Sequence, residues 1–138
     1  MTQQSRKASD DICASPNIGA VMPDGTVYAG VSPETNQPMY ATPADAPFQM
    51  EFVEAQEYAA QLDTHGHQDW RVPTKAELNV LFNNSAAVGG FRACDPPSDP
   101  WYWSSTPDYG WGGFDQRFSD GIQSHSRRAK SLHVRCVR

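Results

Sequence analysis

"DWRVPTKAEL", residues 69–78, holds the clearest local signal in this chain of 138 residues. Thr74 is of the type that caps a helix N-terminus. Glu77, three positions on, completes a capping box in which the carboxylate reaches back to the cap's own N–H. Pro73 just before it restricts the backbone ahead of the helix. Leu78, Leu81 and Phe82 then recur on one helical face, so a helix is expected to start after Thr74. It should close in "NNSAAVGGF", where Asn and Gly tolerate left-handed backbone.

Reading outward, Phe52, Ala55, Ala59 and Leu62 step by three, four and three, which predicts an earlier helix near Gln49–Leu62. "DTHGHQDW" ends it, with Gly66 as the break. Before that helix, "MPDGTVYAG" and "QPMYAT" have the Thr, Val and Tyr content of strands, and "SPETN" between them has the composition of a hairpin loop. "PADAP" is a connector. Beyond the second helix, "CDPPSDP" reads as loop, and "WYWSS", "GFDQRFSDG" and "SLHVRCVR" as strands. In the last, Leu132, Val134 and Cys136 alternate with His133 and Arg135. Two helices between an N-terminal hairpin and C-terminal strands make an α+β domain over 17–138, with residues 1–16 as a flexible N-terminal arm.

The net charge of −5 is unevenly spread: Arg117–Arg138 carries +5 and the remaining residues −10. A basic end favours an anionic partner, or simply makes a soluble surface. The acidic body repels phosphate, so nucleic acid is not an expected partner. No apolar run approaches the roughly 18 residues of a membrane helix, so no membrane insertion is expected. The N-terminus has no apolar signal region, which points to the cytoplasm, with a phage particle or signal-independent export as alternatives. Cys13, Cys94 and Cys136 form no CxxC pair and read as thiols; a Cys94–Cys136 bridge is the alternative.

"DWRVPTKAEL", "WYWSST" (101–106), "FSDG" (118–121) and the terminal "VRCVR" occur in one order. In that combination, from about Asp24 to Arg138, the chain resembles the C-terminal domain family of the Legionella collagen-like adhesin. The resemblance implies a C-type-lectin-like fold: two helices, a small antiparallel sheet, and N- and C-terminal strands that meet. It implies that Trp70 is core and that Asp69 and Arg71 are scaffold around it. It also implies binding, not catalysis, on a loop-rich C-terminal half. Calcium-dependent sugar-binding lectins of this fold carry a Glu-Pro-Asn or Gln-Pro-Asp triplet and a Trp-Asn-Asp triplet. Here "QPM" (37–39) lacks the carboxylate and no Trp-Asn-Asp occurs, so no metal is expected.

His65 and His67 are two imidazoles of an incomplete metal shell, and the competing reading is a polar helix-to-strand loop. Ser104, Ser105 and Cys94 are possible nucleophiles, with His125 and His133 as bases. They form no nucleophile elbow, and the cysteine pair of formylglycine-generating enzymes is not found, so neither an enzyme nor a cofactor is expected. In "WYWSS" one strand face carries Trp101 and Trp103 and the other Tyr102, and at least one tryptophan should be buried. From Ser104 on, composition shifts to Ser, Gly, Tyr, Asp, Trp and Arg, the palette of antibody loops. The expected ligand contacts are Trp103, Ser105, Thr106, Asp108, Tyr109, Trp111, Phe114, Asp115, Gln123, Ser124, His125, Ser126, Arg127 and Arg128. An ordinary polar loop set is the other reading of this stretch.

The expected partner is a protein or surface macromolecule; an intracellular module acting on host or defence machinery is the alternative. C-type-lectin-like domains are also the usual targets of diversity-generating retroelements, which rewrite adenine-containing codons. Asp108, Tyr109, Asp115, Ser124, His125, Ser126, Arg127 and Arg128 are all products of rewriting an Asn codon. They mark a diversified surface if the chain is such a target.

Overall fold

Val27, Tyr28 and Tyr40 are the β-branched and aromatic types that favour extended backbone, and they lie in the first pair of strands. The computed structural model describes residues 16–92 and 100–138. Strands β1 (Val27–Val31) and β2 (Pro38–Ala41) pair antiparallel, with a register shift between Tyr28 and Gly30. Ser32 turns the chain between them: its hydroxyl oxygen accepts the N–H groups of Glu34 and Thr35. The strand expected from Met22 starts only at Val27. The Asp24 carboxylate takes the N–H and the hydroxyl of Thr26, which stabilises a turn there instead.

Helix α1 (Phe52–Gln61) buries Phe52, Ala55 and Ala59, and its first turn is closed by a reciprocal Glu51–Glu54 capping box. Helix α2 (Lys75–Asn83) starts as its sequence predicts. The Thr74 hydroxyl accepts the Glu77 N–H at 3.2 Å, and the Glu77 carboxylate accepts the Thr74 N–H at 2.9 Å. A third helix, α3 (Ser85–Val88), lies in "NNSAAVGG", which reads as a closing loop by composition. The chain leaves it through Gly89 at φ 76.

Strands β3 (Trp101–Asp108), β4 (Gly112–Arg117) and β5 (Gln123–Arg127) form an antiparallel sheet in that order. β3 runs between two hydrophobic clusters. Tyr102 belongs to the cluster of β1, β2 and α2, and Trp103 to that of α1 and the segment 132–136. Both are 0 % exposed. At roughly 150–250 Å² of surface and ~25 cal/mol per Å², each ring contributes about 4–6 kcal/mol of burial before ordering costs. The "SLHVRCVR" segment does not form a regular strand. It makes single bridges to Met50, Tyr102, Ala41 and Arg71, so no one neighbour supplies a continuous ladder. Tyr40 and Arg138 exchange main-chain hydrogen bonds at 2.8 Å in both directions, so the N-terminal hairpin and the C-terminal segment meet. The result is an α+β architecture with three helices and two small antiparallel sheets among the described residues.

Candidate functional site

Cross-strand pairing sorts the expected contact residues into two faces. Trp103, Asp115 and Ser124 are paired across the sheet, while Phe114 pairs with His125 and Gln116 with Gln123. Paired residues point the same way and neighbours alternate. Trp103, Asp115, Ser124 and Ser126 therefore face α1, and Phe114, Gln123, His125 and Arg127 face the side of α2.

Trp103 is not a contact residue. Its ring meets Phe52 edge-on at 5.2 Å, and its indole N–H donates to the Met50 carbonyl at 2.7 Å. Burial of a large ring in the α1 cluster outweighs anything a partly exposed ring could gain. Asp115 is likewise removed from the surface, 2 % exposed. One carboxylate oxygen accepts the Ser126 hydroxyl at 2.5 Å; the other meets no partner among the described residues. Burial pushes its carboxyl up from the usual range, and the Ser126 hydrogen bond opposes this.

Thr106, Asp108, Phe114, Gln123, His125 and Arg127 converge on the α2 side, whereas Ser124 and Ser126 share the α1 side with Asp115. His125 sits between two rings, with Trp111 at 5.9 Å and Phe114 stacked at 6.3 Å. The Lys75 ammonium lies 4.3 Å over Phe114, extending the row. Asp108 hydrogen-bonds His125 at Nδ1 and fixes the imidazole. The turn from β3 to β4 is closed by the Trp111 N–H on the Asp108 carbonyl and passes through Gly110 at φ 80. That turn leaves Tyr109 88 % and Trp111 49 % exposed. Ser105 is half-buried, with its N–H on the Pro73 carbonyl. Arg127 and Arg128 are exposed.

Next to this row, Thr106 and Gln123 open onto a groove of about 560 Å³ shared with Pro33, Glu34, Lys75, Ala76, Asn79 and Val80. That size is within the range of small-ligand clefts. The Thr106 hydroxyl accepts the Lys75 N–H at 2.9 Å, and Gln123 donates to the Lys75 carbonyl at 3.1 Å, so the sheet and the start of α2 form one rigid wall. Lys75, Glu34 and Asn79 were not among the expected site residues.

His65 and His67 serve the turn at Asp24. His67 Nε2 lies 2.7 Å from an Asp24 carboxylate oxygen, and His65 Nδ1 lies 3.0 Å from the Asp24 carbonyl. No group of three metal-ligating side chains occurs among the described residues. Ser104 donates its hydroxyl to the Phe114 carbonyl at 2.7 Å. Cys136 is a buried free thiol; Cys94 and Cys13 lie outside the described residues. Trp70 is buried with its indole N–H on the Thr64 carbonyl. No helix among the described residues is long and apolar enough to cross a membrane.

The family model described as the Lcl C-terminal domain matches residues 22–138. No curated protein matches the chain.

Proposed function

The chain belongs to the Lcl C-terminal domain family, and from that premise we propose an adhesin-like binding domain without catalytic activity. Its ligand is a protein or surface macromolecule held on the α2 side of the β3–β4–β5 sheet, and the fold is C-type-lectin-like. One observation carries the reading. A chain with two clusters in which to bury large rings leaves Tyr109 and Trp111 at the surface, beside a His125 that Asp108 holds in place. Exposed aromatics of this kind are the usual anchors of an interface, worth more than about 2 kcal/mol each where they dominate. Thr106, Gln123 and Arg127 supply hydrogen bonds and charge around them.

The test is the double substitution Tyr109→Ala with Trp111→Ala, measured against arrays of immobilised proteins and intact cell surfaces. Binding should fall by about tenfold or more with the melting temperature unchanged. Retained binding by a natively melting variant removes these rings from the site. Unfolding of the variant makes them core.

Diversification by a retroelement is the finer form of the same reading. Asp108, Tyr109, Ser124, His125, Ser126, Arg127 and Arg128 fall on the end of β3, the turn and β5 with the residues just after it, which supports it. Asp115 is buried and does not fit a variable surface. Sequencing the flanking DNA decides the matter: a reverse transcriptase and a near-copy of the 3′ end differing only at adenines support diversification, and their absence leaves a fixed site.

A further inference from the structure

Strand β5 has one ladder partner, β4, and an outer edge. Arg117 donates its N–H to the Ile122 carbonyl at 2.8 Å, which sets the phase of the antiparallel ladder. Ser124 and Ser126 then turn their main-chain groups toward β4, and Gln123, His125 and Arg127 turn theirs outward. The Arg127 carbonyl accepts the Lys130 N–H in the following turn. No bond outside the ladder uses the N–H or C=O of Gln123 or of His125 among the described residues, and the ladder's phase leaves them unpaired. Other edges are covered. His133 covers β3 at Trp101 and Trp103, Ala20 and Gly19 cover β1, and Arg138 covers β2. Gln123, His125 and Arg127 are also exposed in their side chains.

We infer that the outer edge of β5 accepts an extended, acidic segment of a partner protein as a fourth strand. This rests on the binding-face reading above and names the partner's chemistry. Open main-chain groups give affinity to any extended peptide, and side-chain charge selects which one. Arg127, Arg128 and Lys130 are exposed at the end of β5. None of the three forms an ion pair among the described residues. A carboxylate opposite Arg127 therefore meets positive charge that no ion pair occupies. A second copy of the chain would bring another positive edge and lacks that complementarity. The groove that opens at Gln123 lies beside the same strand.

The probe is a blocked eight-residue peptide of alternating Thr and Glu, titrated by fluorescence polarisation, with amide exchange followed at Gln123 and His125. The inference expects binding that weakens with salt, protection of both N–H groups, and loss of about tenfold or more when alternate peptide amides are N-methylated. Arg127→Glu with Arg128→Glu should weaken the Glu peptide and admit its Lys counterpart. Equal binding of the methylated peptide, equal binding of the Lys peptide by the unaltered protein, no binding, or a dimer that already protects these amides each overturns it. The Tyr109→Ala, Trp111→Ala variant separates the two proposals. Peptide binding kept there, with surface binding also kept, sinks the aromatic site and leaves the edge standing.

Discussion

Arg71 and Glu77 are joined by two parallel hydrogen bonds, one guanidinium nitrogen to each carboxylate oxygen. The carboxylate is fully buried and also accepts the Ser32 hydroxyl at 2.5 Å and the Thr74 N–H at 2.9 Å. One side chain thus joins the β1–β2 turn, the segment before α2 and the first turn of α2.

Burial alone would raise the Glu77 carboxyl, but the hydrogen bonds from Arg71, Ser32 and Thr74 prevail and hold it at about 2. The unfolded chain therefore takes up this proton first. The stabilisation is complete above the ordinary value of 4.5 and is lost as pH falls toward about 2. Glu77→Gln should cost about 3 kcal/mol at pH 7 and flatten the acid side of the stability curve. Urea midpoints for both proteins between pH 7 and pH 2.5 measure both effects.

The two aspartates on β4 and its turn should titrate on opposite sides of the ordinary carboxyl range. Asp115 is raised by burial against its Ser126 hydrogen bond, and Asp120 is lowered by its Arg117 hydrogen bond. Asp115 thus stabilises the fold at low pH, and that contribution is lost as pH rises through its folded value. Side-chain carboxyl carbon shifts followed by NMR will order the two; Asp120 titrating above Asp115 contradicts the account.

Gly113 has no room for a side chain. A Cβ there would lie 2.2 Å from Cε1 of Phe52, a ring already packed on Trp103. Gly113→Ala should destabilise by about 1–3 kcal/mol. Adding Phe52→Leu makes space, so the double variant should lose less than the sum of the singles by about 0.5 kcal/mol or more. Additive losses in thermal melts would show that the two positions do not meet.

Cys136 should be inert in the native state. Burial, against the opposing charge of Arg135, pushes its thiol up to about 12, and only a thiolate alkylates readily. Iodoacetamide with peptide mapping should leave Cys136 unmodified until denaturant is added. Labelling in buffer at pH 8 would mean that the segment opens.

The capping box of Thr74 and Glu77 was legible because both partners lie within four residues. The α+β order was legible for the same reason: most elements carry their own period. What escaped depends on distant residues. β5 reads "QSHSR" with no apolar side chain, so its extended state comes from pairing with β4 and leaves no hydrophobic period to find. The alternation in "WYWSS" implies one buried face, whereas β3 has a cluster on each side and buries both Tyr102 and Trp103. Arg135 breaks the expected in–out pattern: it is fully buried because its guanidinium reaches the carbonyls of Thr42 and Gly89 and the carboxylate of Asp45. The groove joins Glu34, Lys75, Thr106 and Gln123, which are about thirty or more positions apart from one to the next wherever the wall changes element, apart from the shorter step to Gln123. No local pattern marks it.

Residues 132–138 make their bridges to Met50, Tyr102, Arg71 and Ala41. A chain that stopped before Leu132 would hold every helix and regular strand of the described residues, yet four separate positions would lack their main-chain partner. Leu132, Val134, Cys136 and Val137 belong to the two clusters, so neither can close until this last segment is in place.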